Sequence, residues 1–224
     1  MREARFYEKI DGNMVRCKLC PHQCLISNGK KGLCGIRYAQ EGRLFTIGYG
    51  NLSSAHVDPI EKKPLYHFFP GSYIFSIGGW GCNFKCKFCQ NWTISQQIKQ
   101  TASIIPPEKV VEEASFNSIG IAYTYNEPFI NMEYLLDCSI LAKKQKLVNV
   151  AVTNGFLLPQ PLDEILPLLD ALNIDIKSIE DKFYREQCGG KLGPVLDFIK
   201  KCVTARKHVA VSYTHLTLPT IYSV

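Results

Sequence analysis

From Tyr73 onward the chain alternates short apolar runs with segments of helical period. The run YIFSIG (73–78) is apolar and rich in β-branched and aromatic residues, which predicts a strand. PPEKVVEEAS (106–115) has proline at a helix start and acids in the first turn, where they suit the positive end of the macrodipole. A second strand is expected over 119–125. The helix expected over 132–146 sets Leu136 and Ile140 one turn apart and carries lysines in its last turns. Strands over 148–153, 171–176 and 208–213 are separated by a short helix over 160–170, interrupted at Pro167, and a longer one over 194–207. Five strands alternating with helices are βα units. The predicted class is α/β, a partial parallel (β/α) barrel.

Ahead of Tyr73 the texture differs. Residues 1–45 read as loop-rich and carry four cysteines, and 46–72, punctuated by Gly48, Gly50, Pro59, Pro64, Pro70 and Gly71, read as an irregular connection. The expected organisation is a cysteine-rich segment with its connection over 1–72, a partial barrel over 73–211 and a tail over 212–224. The seventeen residues after Lys207 contain no Asp, Glu, Lys or Arg. SYTHLTLPTIYSV has neither helical period nor cap and reads as translated adapter sequence, with a natural apolar terminal strand as the other reading. On the first reading the barrel is incomplete at its C-terminal end.

Composition narrows the class. The 224 residues are 46% hydrophobic and 21% charged, which suits a globular chain with one sizeable core. The net charge of +6 is scattered, so nothing singles out nucleic acid. The N-terminus mixes both charge signs without an apolar core, and no apolar run is long enough to span a bilayer. A soluble cytoplasmic protein without a membrane partner is expected.

The ten cysteines carry the candidate chemistry. Seven fall in two tight groups: Cys17, Cys20, Cys24 and Cys34 (C-x2-C-x3-C-x9-C), and Cys82, Cys86 and Cys89 in GCNFKCKFCQNW (C-x3-C-x2-C). In a reducing compartment this favours metal over disulfides. Four thiolates close a site, so the first group is expected to be structural or electron-relaying, with zinc or a second [4Fe–4S] cluster. His22, beside better ligands, is expected in an outer-shell or solvent role. Cys138 and Cys202, on helices among Leu, Ile and Val, are expected in the core; Cys188 carries no assignment. Three thiolates leave one iron of a [4Fe–4S] cluster without a protein ligand, and an open coordination position is a place for chemistry. A closed zinc site needs a fourth ligand near Cys89, and the ferredoxin run C-x2-C-x2-C-x3-C-P is absent. Further polar motifs stand at predicted carboxyl ends of strands, where ligands gather in such folds: Asn126-Glu127, Thr153-Asn154-Gly155, and Asp175 with Lys177. Asp175 and Lys177 share one face of their strand, to pair with each other or to meet a ligand.

The C-x3-C-x2-C loop directly after a strand, with Phe88 before its third cysteine, resembles the radical S-adenosylmethionine (SAM) superfamily. From about Arg16 to Lys207 the chain resembles the pyruvate formate-lyase activating enzyme-like branch, and most closely the radical SAM proteins of the AmmeMemoRadiSam system. CKLCPHQCLISNGKKGLCGIR, GGWGCNFKCKFCQNW, YTYNEP and LNIDIKS carry that likeness. The resemblance implies a [4Fe–4S] cluster on Cys82, Cys86 and Cys89, and SAM chelated by the open iron. It also implies cleavage to a 5′-deoxyadenosyl radical and hydrogen abstraction from a protein or small-molecule substrate. An electron donor such as flavodoxin or ferredoxin is implied as a partner. Cofactor contacts are implied for Phe88, Asn126, Glu127, Thr153, Asn154, Gly155, Asp175 and Lys177. Of these, Asn126-Glu127 corresponds to the SAM amino group, Thr153-Asn154-Gly155 to the ribose and Lys177 to the carboxylate. Two departures stand out. The family's Gly-Gly-Glu-Pro reads TYNEP, and the acid preceding Thr-Asn-Gly in the classical activating enzyme is Val152. Glycyl-radical activation and radical modification of another substrate are both compatible with this pattern. A non-catalytic iron–sulfur electron carrier and a zinc-stabilised interaction module are the rival classes.

Overall fold

The computed structural model describes residues 1–99 and 104–213. Its first part holds β1 (Arg2–Glu3), β2 (Tyr7–Ile10), β3 (Met14–Cys17), β4 (Leu25–Ile26), β5 (Arg37–Gln40) and β6 (Arg43–Thr46). They form two antiparallel sheets, ordered β1-β6-β5 and β2-β3-β4. The β2–β3 hairpin turns through Gly12 and Asn13 at φ 71° and 61°, the left-handed geometry that tight hairpins use. The loop-rich reading of 1–45 is corrected here: strands of two to four residues are too short to show an alternation.

The main sheet contains β7 (Ser54–Pro59), β8 (Tyr73–Gly78), β9 (Gly120–Tyr123), β10 (Val148–Thr153), β11 (Ala171–Ile176) and β12 (His208–Tyr213), in the order β12-β11-β10-β9-β8-β7. Strands β8 to β12 are parallel, and β7 pairs antiparallel with β8, Ser54 opposite Gly78. The helices are α1 (Trp92–Ser95), α2 (Pro107–Asn117), α3 (Met132–Lys144), α4 (Pro159–Ile165), α5 (Asp181–Phe183) and α6 (Leu192–Thr204). Among the described residues the sheet is an open, partial barrel with β7 and β12 at its edges. Four of the five expected strands have the expected limits. The expected 119–125 ends instead at Tyr123, because Tyr125 turns to φ 69°. The irregular reading of 46–72 misses β7, an exposed edge strand ending in proline, whose pattern carries little signal. Of the expected tail, Ser212 and Tyr213 pair in β12 with Asp175 and Ile176; 214–224 lie outside the described residues.

Burial explains the pattern. All of β9 and most of β10 and β11 are buried: Ile121, Ala151 and Leu172 pack with the helices on one face, and Ala122, Val150 and Ala171 with Ile60 and Leu65 on the other. On α3 the stripe facing the sheet runs through Leu135, Cys138, Ser139 and Ala142, and Ile140 is 41% exposed, which corrects the Leu136–Ile140 face. Helix α4 stops at Ile165, with Pro167 in a 3-10 turn beyond it. Cys138 and Cys202 are fully buried, as expected. One apolar cluster runs from Phe6, Val15 and Leu19 to Ile77, Ile121 and Leu172, so the N-terminal segment shares the core of the sheet. The fully buried Arg37 of β5 reinforces this, reaching Glu133 of α3 at 2.8 Å and the carbonyl of Ile130 at 3.0 Å. Among the described residues no helix is long and apolar enough to cross a membrane.

Candidate functional site

The polar motifs meet where they should. The cysteine loop leaves β8, Thr124–Pro128 leaves β9, Asn154-Gly155 leaves β10 and Lys177 leaves β11, all at the carboxyl edge of the sheet. There they border a cavity of about 590 Å³ lined by Cys82, Cys86, Phe88, Cys89, Asn126, Glu127, Thr153, Asn154, Asp175 and Lys177. Gly155 is not in that lining; at φ 68° it makes the turn that brings Asn154 in. A recess of about 730 Å³ lies between α4 and α6 with no cysteine in its lining, so chemistry and not volume marks the site.

The cysteine loop is held from several sides. Gly81, at φ 88°, lies so close to the carbonyl of Cys34 that a Cβ there would stand 2.4 Å from it. The Asn126 amide accepts from the Gly79 N–H at 3.0 Å and donates to the Gly81 carbonyl at 2.9 Å. The Lys85 and Lys87 N–H groups donate to the carbonyls of Cys188 and Gln187 in a π-helical turn over Tyr184–Cys188. None of the ten cysteines is in a disulfide. Burial, and next the negative Glu127, push the Cys82 thiol well above its ordinary range. Cys86 is held below its ordinary value by a hydrogen bond from the thiol of Cys188, whose own pKa that contact and burial raise. Cys188 is the residue the sequence left unassigned; it backs Cys86 from outside the cavity.

Glu127 is buried, not on a surface loop. Its carboxylate accepts from Phe129 N at 3.1 Å, Asn154 N at 2.9 Å and the Thr153 hydroxyl at 2.8 and 3.1 Å. Burial nevertheless pushes it up to about 7. Lys177 Nζ pairs with Asp175 Oδ2 at 2.8 Å on the cavity wall; burial opposes its charge, but Asp175 raises its pKa on balance. Tyr125 takes the left-handed backbone that suits glycine, at the place where glycine was missing from the motif. It is anchored there: its hydroxyl donates to Asp58 Oδ2 at 2.5 Å, and Lys63 sits 4.6 Å over its ring and 2.8 Å from the same carboxylate. Sequence reasoning overlooked Asp58, Lys62 and Lys63, because β7 and the turn after it were read as connection.

Three free thiols, a buried acid and a paired lysine thus stand together at the carboxyl edge of a parallel α/β sheet. The sequence profile of the Radical SAM superfamily matches residues 77–222, and the chain belongs to that superfamily, which uses a [4Fe–4S] cluster and SAM. An uncharacterized protein of Methanocaldococcus jannaschii, MJ0808, is 45% identical over 98% of this chain and 65% of its own length. Pyruvate formate-lyase 1-activating enzyme of Escherichia coli is 25% identical over 62% of this chain and 58% of its own length. The chain thus spans 57–65% of the length of the curated relatives it matches. Among solved structures, SuiB of Streptococcus suis bound to S-adenosylmethionine aligns over 58% of this chain and 31% of its own, with TM-score 0.46 and 14% identity. TYW1 with a lysine-pyruvate adduct aligns over 92% of this chain and 67% of its own, with TM-score 0.43 and 18% identity.

The donor set suits the superfamily's cofactor. Three soft thiols, unpaired with one another, face a cavity roomy enough for a cluster and a ligand, and the fourth nearby thiol, Cys188, stays outside it. Among the described residues, no three His, Cys, Asp or Glu side chains already stand close enough to hold a metal ion, so the thiols must turn inward to bind.

Proposed function

We propose that this chain works as a radical SAM enzyme in which Cys82, Cys86 and Cys89 hold the [4Fe–4S] cluster and the adjoining cavity receives SAM. One observation carries this reading: the three thiols line the same cavity as Asn126, Thr153, Asn154 and Lys177. When bound, cluster and SAM supply one-electron cleavage of the sulfonium to methionine and a 5′-deoxyadenosyl radical, which takes a hydrogen atom from substrate.

The chain's own residues bind, orient and shield. Lys177, aligned by Asp175, presents an ammonium to the SAM carboxylate. Thr153 and Asn154, on a turn that Glu127 holds in place, would lie beside the ribose of bound SAM. With its oxygens committed to that turn, Glu127 acts as a positioning residue, as does Asn126 through Gly79 and Gly81. The backbone of 124–126 is left for the SAM amino group. Phe88, on the cavity wall and 39% exposed, would offer bound SAM an aromatic face.

Similarity to the Escherichia coli activating enzyme supports a protein glycine as one class of substrate. Val152 lines the cavity where the classical activating enzyme has an acid, which favours a different substrate. A flavodoxin or ferredoxin in the cytoplasm serves as electron donor. The test is anaerobic reconstitution with iron and sulfide, then dithionite and SAM. Formation of 5′-deoxyadenosine is expected. A chain that takes up about four irons and makes none is an electron carrier, and the proposal fails.

A further inference from the structure

The N-terminal cysteines form a second group, and the structure separates the two metals their spacing allows. Cys17, Cys20, Cys24 and Cys34 line one small cavity together with Arg37 and Asn83. Cys17 ends β3, Cys20 and Cys24 flank the turn into β4, and Cys34 precedes β5. The Cys17 N–H donates to the Cys24 carbonyl at 3.0 Å, which closes the loop on itself. Backbone N–H groups of Leu19, His22 and Leu33 reach the thiols of Cys17, Cys20 and Cys24. In the first two the donor lies two residues after the cysteine, so one tight turn repeats and presents both thiols. Such donors stabilise thiolates at a metal.

Two observations bear on the metal. The first is size: the cavity holds about 10 Å³, near the minimum for a single water, against about 590 Å³ at Cys82, Cys86 and Cys89. A cube of four irons and four sulfides needs many times that room, and the walls cannot retreat cheaply, since Leu19, Ile26 and Ile130 are fully packed. The second is charge. Arg37 is 1% exposed, its Nη1 is spent on Glu133 and its Nε on Ile130 O, and its Nη2 has no hydrogen-bond partner among the described residues. A buried N–H group without an acceptor keeps the full cost of its lost hydration. Four thiolates around a divalent ion, as around a [4Fe–4S] core of charge +2, leave a net charge of −2 and supply acceptor sulfurs beside that group, so charge calls for a metal centre and size selects the single ion.

We propose that Cys17, Cys20, Cys24 and Cys34 hold a single zinc ion in a closed tetrahedral site and that Arg37 donates through Nη2 to its thiolates. Four S–H groups lose their protons to solvent as the four thiols turn in and four Zn–S bonds form, and nothing is oxidised or reduced. His22 is not a ligand through Nε2, which contacts the Asn83 carbonyl at 2.8 Å. The ion pins the N-terminal segment under the Cys82 loop: Asn83 lines its cavity and donates to Phe156 O at 2.8 Å, while accepting from Asn154 Nδ2 at 2.8 Å. The site is redox-silent and so is no relay. It stands whether or not the Cys82 loop carries a cluster.

The test uses the whole chain with Cys82→Ala, Cys86→Ala and Cys89→Ala, grown with both iron and zinc and assayed for metal, sulfide and X-ray absorption. Expected are about one zinc per chain, with four sulfurs at about 2.3 Å, and no iron. Adding Cys17→Ser and Cys20→Ser should abolish it. Arg37→Met should keep the four-sulfur shell but lose zinc to a chelator at least about tenfold faster. Iron and sulfide near four per chain, no metal, or a zinc shell with fewer than four sulfurs overturns the proposal. If the triple variant does not fold, the zinc edge of the intact reconstituted chain answers the same question, since iron does not contribute to it. Failure of SAM cleavage in that intact chain bears on the Cys82 site alone.

Discussion

Replacing Glu127 by glutamine is the most informative single change at the site. The substitution keeps shape and removes the charge. In the folded chain the acid titrates near 7 against an ordinary value of 4.5, because burial opposes the carboxylate more than its hydrogen bonds support it. The sign follows from linkage. Between 4.5 and 7 the folded chain binds more protons at this position than the unfolded chain, so Glu127's contribution to stability falls as pH rises through that window. From pH 5 to pH 8 the loss amounts to about 2–3 kcal/mol. Glutamine does not titrate, but it turns an amide N–H toward Phe129 N or Asn154 N, at a cost of about 1–3 kcal/mol. The variant should therefore be the less stable protein at pH 5 and should draw level with wild type, or pass it, by pH 8. Urea unfolding under reductant, followed by the fluorescence of Trp80 and Trp92, measures both proteins at four pH values; other titrating groups cancel in the difference. A stability gap that stays constant from pH 5 to 8 would refute the shifted pKa and the buried, ionisable role built on it.

Alanine at Cys82, Cys86 or Cys89 should remove the SAM-binding cluster and all 5′-deoxyadenosine, whereas Cys138→Ala should leave iron content unchanged; a Cys86→Ala protein that still cleaves SAM contradicts the assignment. Lys177→Ala should keep the iron and weaken SAM binding about tenfold, the loss of one charge-assisted contact, as read by equilibrium dialysis; unaltered affinity removes Lys177 from the site. Arg37→Leu should cost about 3–5 kcal/mol by stranding Glu133, and Arg37→Leu with Glu133→Leu should cost clearly less, because an apolar pair leaves no lone buried charge. Equal losses in the single and double variants, measured by thermal unfolding, would show that the ion pair is not what holds β5 against α3.

Much of this was legible in the residues. The runs at 73–78, 148–153, 171–176 and 208–213 became strands with those limits; the inner ones are buried on both faces and so nearly all apolar, and β12 shows itself through its β-branched and aromatic residues. Three thiols directly after the first of them, and polar motifs at the ends of the strands expected over 119–125, 148–153 and 171–176, already imply one edge of one sheet. What stayed hidden depends on pairings between distant positions. β7 exists only because β8 offers it hydrogen bonds, so an exposed run ending in proline carries no sign of it. Glu127 was legible as a residue of the site but not as the acid whose carboxylate holds Thr153 and Asn154, and Cys188 carried no assignment until a π-helical turn laid it on Cys86. The two cysteine groups show the division most plainly. Spacing alone allowed zinc or a cluster at Cys17, Cys20, Cys24 and Cys34, because it counts donors and says nothing of room. The packing of Leu19, Ile26 and Ile130 around those thiols, and the buried guanidinium of Arg37 beside them, exist only in the folded chain, and they set the volume and charge that a bound metal must match.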